Sequence, residues 1–445
     1  MVISYKNIAR IVIAITILIS FLFIRKALIF LYPGLALLFF YFLGLRISNK
    51  QALLVFAFLI IGFISSWMEG LFLSNFLLSE FIILPLFIFL ITTVKPRKSF
   101  ENEQFFNYFI KVATITLVVV NISAFIYAIF FGHLTAHTYE DTFTGLYGTG
   151  GFGSHSLSIV NLGFSVFFLY KKQYLKFIFF VLCGVLGYYG LGMMVFIAAV
   201  LLMYATKFLQ NWKTIGILII AGFAMLWVIN QFNPRNLDYI KLNLERSMLV
   251  LEDYDYDEEL GKAKQYKVTQ IPRFLVFLDG AQRRFFSDTK VALLGTSPGG
   301  YNSRTAFYLN GDFAQSKFLL DHFHNRTRYH EEDIYPLLNR ELIKRPYNDG
   351  TRNQTFSSIV AVIMEYGAIL GLLFWLLFYK KIRSIAKVQL AKPKREYIRF
   401  LSIYLMLIMF VQNYIEYPEI VFPFILLIKL AEVDTVNTAP VTVKE

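Results

Sequence analysis

Charge is scarce in this chain. Asp, Glu, Lys and Arg make up 16% of it, against about a quarter in soluble domains, while 57% is hydrophobic and 18% aromatic. Cysteine is almost missing, since Cys183, inside an apolar run, is the only one. That excludes an intrachain disulfide and a cysteine-ligated metal cluster, and a lone cysteine in such a run reads as packing. The pattern G-x-x-x-x-G-K-[ST] is absent, which removes a nucleotide-binding P-loop. H-E-x-x-H is absent too, so no helix carries the zinc-peptidase arrangement. The acidic run EDYDYDEE (252–259) lacks the glycine and the twelfth-position glutamate of a calcium loop, that last position being Lys264. It reads as an exposed acidic patch. No internal repeat of the kind that marks many transporters is present.

What is abundant is apolar sequence. A helix needs about 20 apolar residues to cross a bilayer, with roughly 17 as the low end. Such runs fall near 8–24, 27–45, 51–67, 71–94, 109–131, 155–170, 174–189, 190–206, 214–230, 356–379, 398–412 and 419–431. The stretch 174–206 is too long for one helix, and GYYGLG (187–192) supplies a turn in its middle. Lys6 and Arg10 precede the first run without a small-residue cleavage site, so it reads as an uncleaved first helix. The expectation is an all-α polytopic membrane protein with about twelve transmembrane helices, as many as there are runs.

The formal charge of +13 gathers in short loops. KPRKS (95–99), Lys171, Lys172, Lys176, Lys207, Lys213 and eight Lys or Arg between 380 and 399 fall on one side of a twelve-span arrangement. The positive-inside rule makes that side the cytoplasm, with both termini there. The excess charge is thus a topology signal and implies no nucleic-acid partner. The chain divides into residues 1–230 with nine helices, a large extracytoplasmic loop at 231–355 with amphipathic helices, and residues 356–445 with three helices and a cytoplasmic tail. The loop's 18 basic and 17 acidic residues nearly cancel. All six histidines lie in the outer segments or at their edge: His133, His137, His155, His322, His324 and His330.

Candidate chemistry concentrates in the long loop. QIPRFLVFLDGAQRRFF (270–286) has apolar residues at helical spacing, punctuated by Arg273, Arg283 and Arg284. It predicts an amphipathic helix with Pro272 near its start. Its arginines either snorkel at an interface or match diphosphate oxygens in pairs. GTSPGG (295–300) comes next, with Gly295, Gly299 and Gly300 giving freedom for a tight turn ahead of Arg304. DHFHNRTRYHEED (321–333) reads as a charged surface whose histidines could act as a general base. Glu80 and Glu365 are carboxylates inside apolar runs, and such groups face a bundle interior or water.

Several of these segments together resemble the O-antigen polymerase and O-antigen ligase family of bacterial membrane proteins. Arg273 precedes LLGTSPGGYNSR by the distance that separates a helix arginine from a glycine-proline turn in that family. RNQTFSSIVAVIMEYGAILGL (352–372) is similar to the family's helix after the loop, from Asn353 through Glu365, Gly367 and Gly371. GLYGTGGFGSHS (145–156) is similar to an earlier glycine-rich segment. The match spans about residues 140–375 and departs in two places. Arg352 stands where ligase-like members have histidine, and YYGLGMM (188–194) replaces a common Ser-Arg-Gly.

The resemblance implies a polymerase of the cytoplasmic membrane acting at its outer face, without cofactor or metal. The substrate would be an oligosaccharide on undecaprenyl diphosphate, with other polysaccharide export proteins as companions. Arg273, Arg304, Arg352 and Arg283 would bind the diphosphate around the turn. His155, His322, His324, His330 and Glu365 are the candidates for the base. A ligase that moves a finished glycan and a polysaccharide transporter or flippase are the alternatives.

Overall fold

A helix satisfies its own backbone hydrogen bonds, which makes it one of two arrangements that survive in hydrocarbon. The computed structural model is accordingly mostly helical. It describes residues 4–22, 28–70, 73–97, 100, 103–131, 142–148, 153–187, 189–208, 234–251, 254–266, 271–309, 325, 327–337, 357–387 and 390–438, with 223, 227, 230 and 231 as single positions. The first eight helices are α1 (Tyr5–Phe21), α2 (Leu28–Phe42), α3 (Asn49–Met68), α4 (Leu73–Ile91), α5 (Phe105–Phe131), α6 (Gly153–Tyr170), α7 (Tyr174–Leu186) and α8 (Gly190–Phe208). The long polar segment then supplies α9 (Pro234–Met248), α10 (Tyr256–Tyr266), α11 (Arg273–Ser287), α12 (Thr289–Leu294) and α13 (Arg304–Leu309). A π turn at His330–Ile334 precedes α14 (Ser358–Lys387), α15 (Lys392–Val411) and α16 (Pro418–Thr438). Two short strands, β1 (Leu45–Arg46) and β2 (Thr93–Val94), pair antiparallel.

Helices stand at the expected apolar runs within the described residues; the run near 214–230 lies outside them. Among the described residues, four helices are long and apolar enough to cross a membrane: α3, α4, α5 and α14. α2, α7 and the first part of α8 are apolar but shorter. Local signals set several boundaries. Ser48 and Gln51 form a reciprocal capping box at the start of α3. The break between α7 and α8 falls within GYYGLG. Gly184 and Gly187 let α7 lie close on α6, where the Ser158 hydroxyl donates to the Gly184 carbonyl at 2.6 Å.

The outward faces of the long helices are apolar. Leu37, Leu53, Phe130 and Ile369 are all exposed, a surface suited to lipid rather than water. Inside, α16 is the most enclosed helix, buried at every residue from Val421 to Ala431. It takes a cation into the core at Lys429. The ammonium donates to the Leu90 and Thr92 carbonyls at 3.2 and 2.5 Å and to Glu432 at 2.8 Å, so the buried charge is fully served. Aromatic packing joins α3, α4 and α14, with Phe87 stacked on Phe374 at 4.4 Å and Phe58 at 5.4 Å from Phe87.

One end of the bundle is closed by charge. Glu103 pairs with Lys6 and Arg10, Glu432 with Lys381, and Asp434 with Lys394 at 3.6 Å. Asp434 also accepts the Phe105 and Phe106 N–H groups at 2.8 and 3.1 Å, so a carboxylate of α16 caps the N-terminus of α5. Removing this group strands two buried N–H donors and the Lys394 charge. Asp434→Ala is expected to destabilise the purified protein by roughly 3 kcal/mol, the low end for breaking a buried ion pair. Thermal melting in detergent checks it, and a wild-type melting temperature would show that the cap contributes nothing.

Candidate functional site

The turn after α12 reaches into the bundle. Every residue from Gly295 to Ser303 is buried. No charged residue occurs between Val291 and Ser303, so no side-chain ion opposes burial, but the backbone polar groups still need partners. Neighbouring helices supply them. Ser65 donates to the Gly295 carbonyl at 3.0 Å, and Asn75 to the Gly299 carbonyl at 2.7 Å. The Ser66 and Ser297 hydroxyls meet at 2.9 Å, and Thr327 donates to the Gly300 carbonyl.

The turn enters where α14 is broken. Gly367, at φ 74°, interrupts the helix, and Gly295, at φ 80°, crosses directly against it. A Cβ on Gly295 would run into the Glu365 carbonyl, and one on Gly367 into that of Leu293. Two glycines are therefore required by close approach as well as by φ. The Thr296 N–H takes the Met364 carbonyl, at 2.7 Å, that the break leaves open. Ser297 holds φ 88°, a conformation uncommon for a residue with a side chain.

Glu365 sits just before this break and is 1% exposed. Its carboxylate accepts the N–H groups of Gly299 at 2.8 Å, Tyr301 at 3.1 Å and Ser303 at 3.1 Å. These bonds hold the turn as an anion holds a nest of amides. Glu365 thus does a structural task that its candidacy as a base did not anticipate.

Arg304 leaves the turn at the start of α13. Its backbone N–H donates to the Glu416 carboxylate, and its guanidinium donates to the Glu416 carbonyl at 2.7 Å. The guanidinium lies 3.9 Å from the centre of the Tyr417 ring, a close cation–π contact. Asn413 and Thr305 complete the carboxylate at 2.6 and 3.2 Å. Burial pushes the Glu416 carboxyl above its ordinary pKa, while the Arg304 N–H and charge pull it back.

A row of tyrosines continues from there. Tyr417 meets Tyr414 with ring centres 5.8 Å apart, and the Tyr414 hydroxyl bonds that of Tyr189 at 2.9 Å. Tyr189 stacks on His155 at 4.4 Å. Arg304 and His155, far apart in sequence, end one chain of contacts.

The other expected residues scatter. α11 forms as its periodicity predicts and buries Arg273, which donates to the Leu337 carbonyl at 2.9 Å. Arg283 is half exposed and pairs with Asp279 at 3.2 Å, over the Tyr256 ring. Arg284 forms a fork with Asp333 at 2.9 and 2.7 Å and reaches Glu332 at 2.7 Å; the bond to Asp333 raises its pKa. His330 is buried with its Nδ1 2.6 Å from the Tyr301 carbonyl. Arg273 donates to the Leu337 carbonyl and Arg304 to that of Glu416. His322, His324 and Arg352 lie outside the described residues. Glu416 was placed by its sequence in a short outer loop, in NYIEYPE (413–419), but given no role; Tyr414 and Tyr417 of the same run and Tyr189 of YYGLGMM (188–194) were not singled out.

No family model matches this chain, and no curated protein matches it.

The turn depends on Glu365, and bonds to a charged acceptor contribute about 1.5–3 kcal/mol each. Glu365→Gln keeps one oxygen and presents an amide to N–H donors. It is expected to lower stability by about 3 kcal/mol and to expose Arg304 to trypsin, as is Gly295→Ala, which keeps the charge. Wild-type protease resistance in both variants would show that the turn is held by other means.

Proposed function

We propose that this protein polymerises lipid-linked oligosaccharide repeat units of an O-antigen, capsule or exopolysaccharide. Twelve helices would span a bacterial cytoplasmic membrane with both termini inside. The end closed by Lys–Glu and Lys–Asp pairs would face the cytoplasm. The end that receives the turn would face the periplasm or exterior.

The observation that carries this reading is the row joining Arg304 to His155. It offers a fixed cation and an imidazole on one track of tyrosine rings, in a chain whose loop and flanking helices resemble the polymerase and ligase family. An acceptor hydroxyl oxygen attacks the anomeric carbon of the donor, and the bond from that carbon to the diphosphate oxygen breaks. The hydroxyl proton passes to His155, since histidine's ordinary pKa suits a base near neutral pH. Undecaprenyl diphosphate leaves as an anion, and Arg304 stabilises it as charge develops.

The lipid part of the donor has a matching place. An apolar groove of about 850 Å³ runs along α14 and α15. It begins at Ala368, one residue past the glycine that admits the turn, and includes Ile369, Leu372 and Met406. An isoprenoid chain lying there would place its diphosphate toward the turn.

A transporter reading also has an observation in its favour. Glu80 is a buried carboxylate within α4, bonded by the Tyr366 hydroxyl at 3.0 Å, and intramembrane carboxylates mark ion paths in many transporters.

Deletion of the gene, complemented with variants, separates these readings on a polysaccharide gel. The deletion strain is expected to show single repeat units with the ladder gone. Long chains left on the carrier would mean a ligase, and units trapped inside would mean a transporter. Arg304→Ala and His155→Ala should insert at wild-type levels and lose about 100-fold or more in polymer formation. A normal ladder from Arg304→Ala would overturn the diphosphate assignment.

A further inference from the structure

At the opposite end of the bundle, three cations have no acid paired with them among the described residues. Arg46, Lys95 and Arg97 line a cavity of about 310 Å³ with Phe40, Tyr41 and Gly44. No Asp or Glu lines it. Among the described residues no carboxylate pairs with any of the three, although Arg10, Lys381, Lys394 and Lys429 at the same end each have one. Glu103, Glu432 and Asp434 at this end are engaged by those other cations.

The fold holds them together. β1 and β2 pair Arg46 with Thr93 and Leu45 with Val94, and the Lys95 N–H donates to the Gly44 carbonyl at 3.0 Å. Alternation along the ribbon then puts Arg46 and Lys95 on one face. Arg97 crosses below. It donates to the Tyr41 carbonyl at 2.7 Å and lies 5.4 and 5.9 Å from the Tyr5 and Phe100 rings. Gly44, at φ 69°, keeps the floor open, since a Cβ there would come within 2.6 Å of the Arg97 Nε. A guanidinium held by two rings and a carbonyl is already oriented and still has donors for an anion.

The surroundings favour a lipid over a free anion. The cavity lies at the end of α2, whose Leu37, Leu38 and Tyr41 are exposed along its outward face. An apolar surface thus runs from the cations along a helix that faces lipid. Tyrosine at this level is typical of a membrane interface. We propose that Arg46, Lys95 and Arg97 form a binding site for the phosphate of an anionic phospholipid, with the acyl chains along the outward face of α2. Basic pockets of this kind between membrane helices hold lipid head groups. The site is separate from the row that ends at Arg304 and stands whatever that row catalyses.

The test uses the full-length protein in nanodiscs of phosphatidylcholine doped with phosphatidylglycerol, read by native mass spectrometry. Wild type should retain phosphatidylglycerol after release. Arg46→Ala with Lys95→Ala changes two side chains at the rim and should weaken retention roughly thirty-fold, since each cation near a membrane surface contributes about five-fold toward an anionic lipid. Lys171→Ala with Lys172→Ala removes the same charge from another exposed loop and should leave retention unchanged. Equal retention by the Arg46/Lys95 variant, or equal loss from the Lys171/Lys172 variant, would overturn the site. Stabilisation by inorganic phosphate without retained phosphatidylglycerol, lost in the Arg46/Lys95 variant, would overturn the lipid assignment in favour of a free anion.

Discussion

The contact on which the upper part of this molecule depends is one buried carboxylate facing three backbone N–H groups. Glu365 would be a costly ion inside an apolar bundle, and the turn at Gly295–Ser303 would be costly backbone. Each removes the other's penalty, because the donors at Gly299, Tyr301 and Ser303 converge on the two oxygens. The break at Gly367 is part of the same solution: it opens the Met364 carbonyl for Thr296 and gives the turn room to enter. Irregular backbone at membrane depth is tolerated only where protein encloses it, and α3, α4 and α14 do so here.

The same three bonds fix the position of Arg304, the next residue in the chain after Ser303. It emerges from a segment that cannot shift, and its own backbone N–H is committed to Glu416. The guanidinium is consequently held over Tyr417 with little freedom to search. A cation placed this way loses little entropy when an anion arrives, which is the condition for strong charge stabilisation in a transition state. The partners of Arg304 come from the connection between α15 and α16, so the turn also ties the polar segment to the last helices.

Much of the helical framework was legible in the sequence, because long apolar runs and a glycine turn such as GYYGLG act locally. The helix at Arg273–Ser287 was legible for the same reason, through its apolar spacing. The sense of the GTSPGG turn was not. Its glycines gave freedom, but the direction in which it is used depends on Glu365, dozens of residues later. The spacing of Arg273 and Arg304 likewise did not show which carbonyls their guanidiniums meet. Arg284 shows the same limit: two aspartate oxygens and a glutamate claim it from the far side of the loop. Charge alone did not reveal which arginines are already neutralised by neighbours.

That distinction separates the two ends of the protein. Several cations at the end with Asp434 and Glu432 serve structure, since acids on α16 and before α5 hold them. Arg46, Lys95 and Arg97 gather there on the ribbon of β1 and β2 with no acid lining their cavity. At the other end two carboxylates are buried: Glu365 accepts three backbone amides, and Glu416 accepts the Arg304 N–H together with the Asn413 and Thr305 side chains. A carboxylate that accepts backbone amides has partners without consuming a cation. Glu365 is engaged by the amides of the turn, while the Glu416 carboxylate accepts the backbone N–H of Arg304 and its carbonyl accepts the guanidinium, with burial raising the carboxyl's pKa. An anion arriving at Arg304 would meet a guanidinium already oriented by the Glu416 carbonyl and the Tyr417 ring.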